Sequence, residues 1–283
     1  MSNRKAYPSD LTDEQWELIE VILPDDELPK PKGGRPREVD LREVINAILF
    51  QVRSGCQWDM LPHDLPPKST VYRYFARWRD DGTLDHINKV LVGAVRQLEA
   101  PSEHMDPSTA SVDSQTVPTA PRCDSRGYDG GKRITGRKRN IVVDSLGLLL
   151  AVVVTVASTD DAQAGRQALS QLDEASQPRL KTIWADSKYH NHALRAWLAK
   201  RDDLKWELQV VRRPKGAKGF VLLPKRWVVE RTFGWFGWWR RLSKDYEHRA
   251  DSAEAMVKWA SVGRMLRRLS PSPTQAPFKY RVT

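Results

Sequence analysis

The sequence predicts an α/β domain, a mixed sheet flanked by helices, preceded by an all-α segment. Three observations predict it. Up to about residue 100 the apolar residues recur at helical spacing. After Pro101-Ser102-Glu103-His104, β-branched runs alternate with helical ones. Two long helical patterns then close the chain before a tail containing Pro and Ser.

In the first part, Thr12 and Gln15 make a capping-box start for a helix carrying Trp16, Ile19 and Leu23, which Pro24 stops. The stretch from Pro24 to Arg37 is rich in Pro, Gly and charge and reads as a linker or arm, basic at 30–37. Its Gly34-Arg35-Pro36 core suits an extended arm whose arginine enters a narrow minor groove; an ordinary basic loop accommodates the same tripeptide. From Asp40 to Arg53, residues Leu41, Val44, Ile45, Ile48, Leu49 and Val52 fill one helical face, and Gly55 stands where a C-cap belongs. Trp58 to Leu61 packs back on that helix. Ser69 or Thr70 opens another, ended by Gly82, with Val71, Phe75 and Trp78 inward and Arg73, Tyr74, Arg77 and Arg79 left for solvent. Leu84, Ile87, Leu91, Val95 and Leu98 mark one more helix. Short helices with a basic amphipathic one near the end suggest a helix-turn-helix-like DNA-binding domain, complete within residues 1–100. A plain helical bundle has the same periodicities.

The second part begins with a strand from Ser111 to Val117. Ile141–Asp144 and Leu148–Val156 are β-branched-rich and joined by the hairpin signal Asp144-Ser145-Leu146-Gly147. Thr159 or Asp160 caps a helix to about Leu172, a strand from Leu180 to Ala185 ends at Asp186, and His190 to Lys200 is helical. Trp206 to Val211 makes a fifth strand, and helices at about 225–244 and 251–269 finish the domain. Three strands in a meander, then helix, strand, helix, strand and helix, is the order of an RNase H-like domain over residues 107–269. The tail at 270–283 reads as disordered.

Composition narrows the function. The chain has 283 residues, 40% of them hydrophobic, enough for a core. It lacks an apolar run of transmembrane length or a signal-peptide pattern, so a cytoplasmic protein with no membrane partner is expected. Cys56 and Cys123 are far apart and lack zinc-site spacing. The net charge of +10 is unevenly placed: residues 201–283 carry 19 Lys/Arg against 8 Asp/Glu. A second basic run, from Arg122 to Arg139, includes Arg137, Lys138 and Arg139. Such concentration favours a polyanion, most simply nucleic acid; a solvated surface is the alternative.

Phosphodiester chemistry needs charge neutralised on both the attacking and the leaving oxygen, which two hard divalent cations held by carboxylates provide. Asp113 lies inside the first strand, where a charge needs partners or metal. Asp186 ends the apolar run Ile183-Trp184-Ala185, at a strand's carboxyl end, and Glu230 lies on the first of the closing helices. At 100° per residue, Arg226, Gly234, Gly237 and Arg241 share the face of Glu230, opposite Val228, Trp235, Trp239 and Leu242. Two glycines on one helical face suit close approach of a DNA strand; a tight helix–helix contact also wants them. Asp144 opens a hairpin turn, a structural role, and His190 and His192 suit a helix start or DNA contact.

The chain resembles the DDE-type insertion-sequence transposases of the group named after insertion sequences four and five, over about residues 7–269. The matching stretches are Gly33-Gly34-Arg35-Pro36, Arg53-Ser54-Gly55-Cys56-Gln57-Trp58 and Ser69-Thr70-Val71-Tyr72, then Val112-Asp113-Ser114-Gln115, Gly136-Arg137-Lys138-Arg139 and Ala185-Asp186 with Tyr189. The last runs from Pro224 through Arg226, Glu230 and Arg231 to Phe233, followed by Arg240-Arg241-Leu242. The resemblance implies catalytic and metal-holding roles for Asp113, Asp186 and Glu230, two Mg²⁺ or Mn²⁺ ions, and an amino-terminal domain that recognises terminal inverted repeats. It implies double-stranded DNA as partner, at the element ends and the target, with paired-end cutting by a homodimer at the nucleoid. Arg226 matches an arginine expected near DNA. The group's wider signature is incomplete, with Leu223 at its Tyr position and Gly237 at its Lys position, where Arg240 or Arg241 can substitute. The cations expected at DNA are Arg35, Arg73, Arg77, Arg137, Lys138, Arg139, Arg226, Arg231, Arg240 and Arg241. A nuclease of the same fold and a catalytically silent DNA-binding protein stand as alternatives.

Overall fold

A computed structural model describes residues 4–24, 39–100, 105–172, 175–211 and 225–271. The arm with Arg35 and the tail from residue 272 lie outside the described residues. Local signals account for the first helices. Helix α1 (Asp13–Glu20) starts at Thr12 with both halves of the capping box formed. In α2 (Leu41–Ser54), the Asp40 side chain accepts from Arg42 N, and the helix ends at Gly55 with φ of 76°, a left-handed conformation that suits glycine. Helices α3 (Lys68–Asp80) and α4 (Thr83–Glu99) follow.

Six strands form one sheet: β1 (Thr109–Pro118), β2 (Gly127–Asp129), β3 (Ile134–Asp144), β4 (Leu149–Val156), β5 (Thr182–Ala185) and β6 (Glu207–Val210). Strands β1, β3 and β4 pair antiparallel, whereas β5 and β6 extend the β1 side in parallel. The short β2, which periodicity did not reveal, pairs with the start of β3. Helices α5 (Asp161–Leu169) and α6 (His192–Leu198) cover one face, over Val112, Val142, Ala151 and Ile183. Helices α7 (Trp227–Phe236) and α8 (Ala250–Leu269) cover the other, over Ile141, Val143 and Val152. Adjacent residues of β3 thus point into different cores, as a strand's period of two requires.

That double coverage corrects one expectation. Arg137, Lys138 and Arg139, expected to face DNA, are buried in β3. Arg137 donates to the Glu247 and His248 carbonyls, and Arg139 to those of Leu242 and Lys244, on the α8 side. Lys138 turns the other way and donates to the Thr159 carbonyl. No Gly or Pro separates Arg137 to Asn140 from Ile141, the available sign that the strand began earlier. Burial holds the Arg139 guanidinium down to about 10. Arg139→Ala is therefore expected to destabilise the fold by about 2–4 kcal/mol, as loss of hydrogen bonds from a buried charge to two carbonyls does, measured by urea denaturation.

The helices before residue 100, expected to be complete by themselves, instead share one core with α7 and α8. Trp78 meets Trp259 at 5.8 Å between ring centroids, and Asn88 donates to the Leu149 carbonyl. Tyr74 and Arg79, expected at solvent, turn inward: Tyr74 is buried, and Arg79 donates to Ser252 on α8. An amphipathic pattern shows that a face is apolar, not which element covers it.

Candidate active site

Asp113 faces the α7 side of the sheet, and Ser114 the α5 side, where its hydroxyl donates to Asp161 at 2.7 Å. In the parallel pairing of β1 with β5, Ser111 stands opposite Trp184. Asp113, in the middle of β1, and Asp186, just past the end of β5, each lie two residues beyond that pair. Asp186 caps a 3₁₀ turn (Ser187–Tyr189) by accepting from Lys188 N at 2.9 Å.

The entry to α7 is stapled to this edge. Lys225 has a φ of 71°, its carbonyl accepts from Ser111 Oγ at 2.7 Å, and its ammonium lies 4.0 Å from the centre of the Trp184 ring. The next residue, Arg226, is buried, and its Nη2 lies 3.2 Å from Asp113 Oδ2 and 3.7 Å from Glu230 Oε1. Arg226, expected on a phosphate, is thus the counter-charge between two of the three acids. The Asp113 carboxyl is pushed up to about 6, first by burial, against lowering by the Ser114 N–H and Arg226; Asp186 and Glu230 add to the rise. Both other acids therefore act electrostatically on Asp113.

Among the described residues, no three His, Cys, Asp or Glu side chains are drawn together closely enough to hold a metal ion. The donor chemistry nevertheless fits a hard divalent cation: Asp113, Asp186 and Glu230 offer carboxylate oxygens alone. Asp161 is a further acid beside the site that periodicity did not single out. It pairs with Lys138 at 2.9 Å and Lys188 at 3.0 Å, which with Ser114 hold it down to about 2 despite burial. Its position directly after the helix-capping Asp160 was the available signal.

The helix expected at 225–244 breaks. Helix α7 ends at Phe236, Gly237 is its C-cap, and a 3₁₀ turn spans Arg240–Leu242. Arg241 therefore does not extend the Glu230 face. Arg241, expected at DNA, is buried and bonded to Glu247 and the Cys56 carbonyl. Gly234 has open space where a side chain would stand, so no packed helix accounts for it. Arg231 is sandwiched between Trp227 and Trp235, 4.2 and 4.3 Å from their ring centres. Arg73, Arg77 and Arg240 are exposed, with Arg77 beside Asp81. Asp144 accepts from Leu146 N, Leu148 N and Arg96, a structural set. His190 lies on Arg195, and His192 opens α6.

Two family models match this chain. "Transposase DDE domain" covers residues 104–262, and "Putative transposase of IS4/5 family" covers residues 11–88. An "Insertion element IS402 uncharacterized 16.2 kDa protein" of Burkholderia cepacia is 29% identical over 109 residues, 38% of this chain and 71% of that protein. "Uncharacterized protein y4sN" of Sinorhizobium fredii is 36% identical over 81 residues, 29% of this chain and 62% of that protein. A "Putative transposase for insertion sequence element IS402", also of B. cepacia, is 32% identical over 133 residues, 44% of this chain and 59% of that protein. The matches thus span less than two thirds of the last two relatives. The fold and the acidic edge define a DDE-type catalytic domain with an RNase H-like sheet. The chain belongs to the DDE transposases, and its first part is similar to the putative transposases of the IS4/5 family. Among the described residues, no helix is long and apolar enough to cross a membrane.

Proposed function

We propose that this chain binds the terminal inverted repeats of an insertion sequence, cleaves a strand at each end and joins the freed 3′-hydroxyl to target DNA. The observation that carries the reading is that Asp113 and Asp186 each lie two residues beyond the Ser111–Trp184 pair of adjacent parallel strands, with Glu230 tied to Asp113 through Arg226. Asp113, Asp186 and Glu230 would hold two cations, Mg²⁺ or Mn²⁺. When bound, these supply an activated water and neutralise charge on the reacting phosphate. Arg226 holds the acids together before the site is charged, and the open surface at Gly234 leaves room for a DNA strand beside Glu230. Recognition of the ends falls to the amino-terminal helices, with exposed Arg73 and Arg77, together with Arg35. Cutting both ends calls for a homodimer on DNA.

The test is incubation of the purified full chain with end-containing DNA in Mg²⁺ or Mn²⁺. The expected products are a nicked strand with a 3′-hydroxyl and, from pre-cut ends, a joined strand. Cutting without joining favours a nuclease; binding without either favours a silent DNA-binding protein. A second expectation concerns the metal. Mg²⁺ should stabilise the chain by about 1.4 kcal/mol at a tenfold excess over its dissociation constant. Thermal denaturation should show that rise in Tm shrinking in Asp113→Asn; an equal rise in the variant would remove Asp113 from the metal site.

A further inference from the structure

We infer that Arg53 and Arg267 form a phosphate-binding site for the DNA backbone, at the seam between the amino-terminal helices and the catalytic domain. The inference rests on the reading that the chain acts on DNA, and it adds residues that the family motifs do not assign to that task.

The centre of the site is Trp239. Its indole is buried and wedged between two helices: a Cβ on Gly263 of α8 would lie 2.5 Å from Trp239 Cη2 and 3.1 Å from Leu49 Cδ2 of α2. The seam is tight beside it, where a Cβ on Gly55 would lie 3.0 Å from Arg240 Cβ. The backbone around Trp239 is therefore fixed from both sides. Against this ring stand two cations from different helices. The Arg53 guanidinium, in the last turn of α2, lies 5.4 Å from the ring centre, and that of Arg267, in the last turn of α8, lies 5.3 Å away.

Arg53 is exposed and Arg267 is half-buried. Arg53 donates to the Trp238 carbonyl at 3.1 Å. Among the described residues neither arginine has a carboxylate partner, whereas nearby Arg241 has Glu247. Burial, and after it the like charge of Arg53, hold the Arg267 guanidinium down to about 10. A helix C-terminus favours a cation, which accounts for each arginine singly but not for bringing two together. An anion between them would remove the repulsion, and a guanidinium's planar donors match phosphate oxygens. The site is open to a long polyanion, because Trp238 and Arg240 beside it are exposed. No covalent step is involved.

The test uses the full-length chain and a fluorescently labelled DNA duplex, with affinity measured across a salt series. Arg53→Gln/Arg267→Gln should weaken binding about tenfold and make the salt dependence shallower by about one to two phosphate contacts. Its Tm should equal or exceed the wild-type value, since like-charge repulsion is relieved. Arg53→Lys/Arg267→Lys should retain most of the salt dependence. Should the neutral double variant fail to fold, Arg267→Gln alone should still lose about one contact. Wild-type affinity and salt dependence in the neutral variants overturns the site while leaving the DNA reading intact. Loss of salt dependence in the lysine variant overturns it too, because packing on Trp239 would then be responsible. A wild-type chain that binds no duplex overturns the DNA reading itself, and this site with it.

Discussion

Asp113→Ala, Asp186→Ala and Glu230→Ala are each expected to reduce cleavage of element-end DNA by roughly a thousandfold or more, while binding of that DNA persists. The magnitude follows from the chemistry: a carboxylate that helps hold the charge-neutralising cations acts on the transition state far more than on the bound ground state. The variants should fold. Asp113 is pushed up to about 6 by burial and by the neighbouring acids, so its removal relieves an unfavourable charge, but it also takes the nearer carboxylate from buried Arg226; Asp113→Asn, which keeps a hydrogen-bond acceptor for Arg226, is therefore assayed beside Asp113→Ala with the Tm of each. Glu230 is exposed, and truncating it leaves no cavity. Cleavage by each purified variant in Mg²⁺ and in Mn²⁺ decides the matter. Near-normal cutting by any one would remove that residue from the site. Asp161, beside Asp113 through Ser114, would then be the next acid to test.

The largest stability effect is expected at the pair of Arg96 and Asp144. Their side chains meet at 2.7 Å with 1% and 0% exposure, tying α4 to the β3–β4 hairpin. Asp144 also accepts from Leu146 N and Leu148 N, so the same carboxylate holds the turn. Arg96→Ala would strand a buried negative charge, which costs about 3–5 kcal/mol. Arg96→Met with Asp144→Asn, which removes both charges, should recover part of that loss. Burial already pushes the Asp144 carboxyl above the usual carboxylate range, opposed by Leu148 N–H and Arg96. Without Arg96 the rise grows. A raised folded-state value for an acid means that stability is lost as pH rises from the unfolded value through the folded one. The deficit of Arg96→Ala should therefore be largest at neutral pH and shrink as pH falls toward the usual carboxylate range. Urea denaturation across pH checks this. A deficit under 1 kcal/mol would show that the pair is dispensable and that Asp144 is free for another role.

Arg226 shows how far the site was legible. Helical spacing placed it one turn from Glu230, and it does lie there. Spacing could not show that it also reaches Asp113, because that contact spans 113 residues. The register of Asp186 beside Asp113 was likewise outside what either strand's composition contains, since parallel pairing is set by the crossover between them. Asp161 went unremarked beside Asp160 because two acids at a helix start look alike until one of them meets Lys138 and Lys188.

Read alone, the sequence determined the features that neighbours within about four residues control. Thr12, Asp40 and Asp160 start helices, Gly55 ends one, and the strands at Asp113 and Asp186 lie where β-branched runs put them. Caps, turns and periodicity are local, so residues close in the chain carry the information. The tertiary structure alone decided which charges face water. Arg137, Lys138 and Arg139 read as a basic run, yet helices on both faces of the sheet enclose them and supply carbonyls to them. It also decided where α7 stops: Gly237 favours a break weakly, and the seat for Trp239 between Leu49 and Gly263 makes it useful. Burial depends on what packs over a residue, and that covering comes from segments up to two hundred residues away in the chain, which no local pattern encodes.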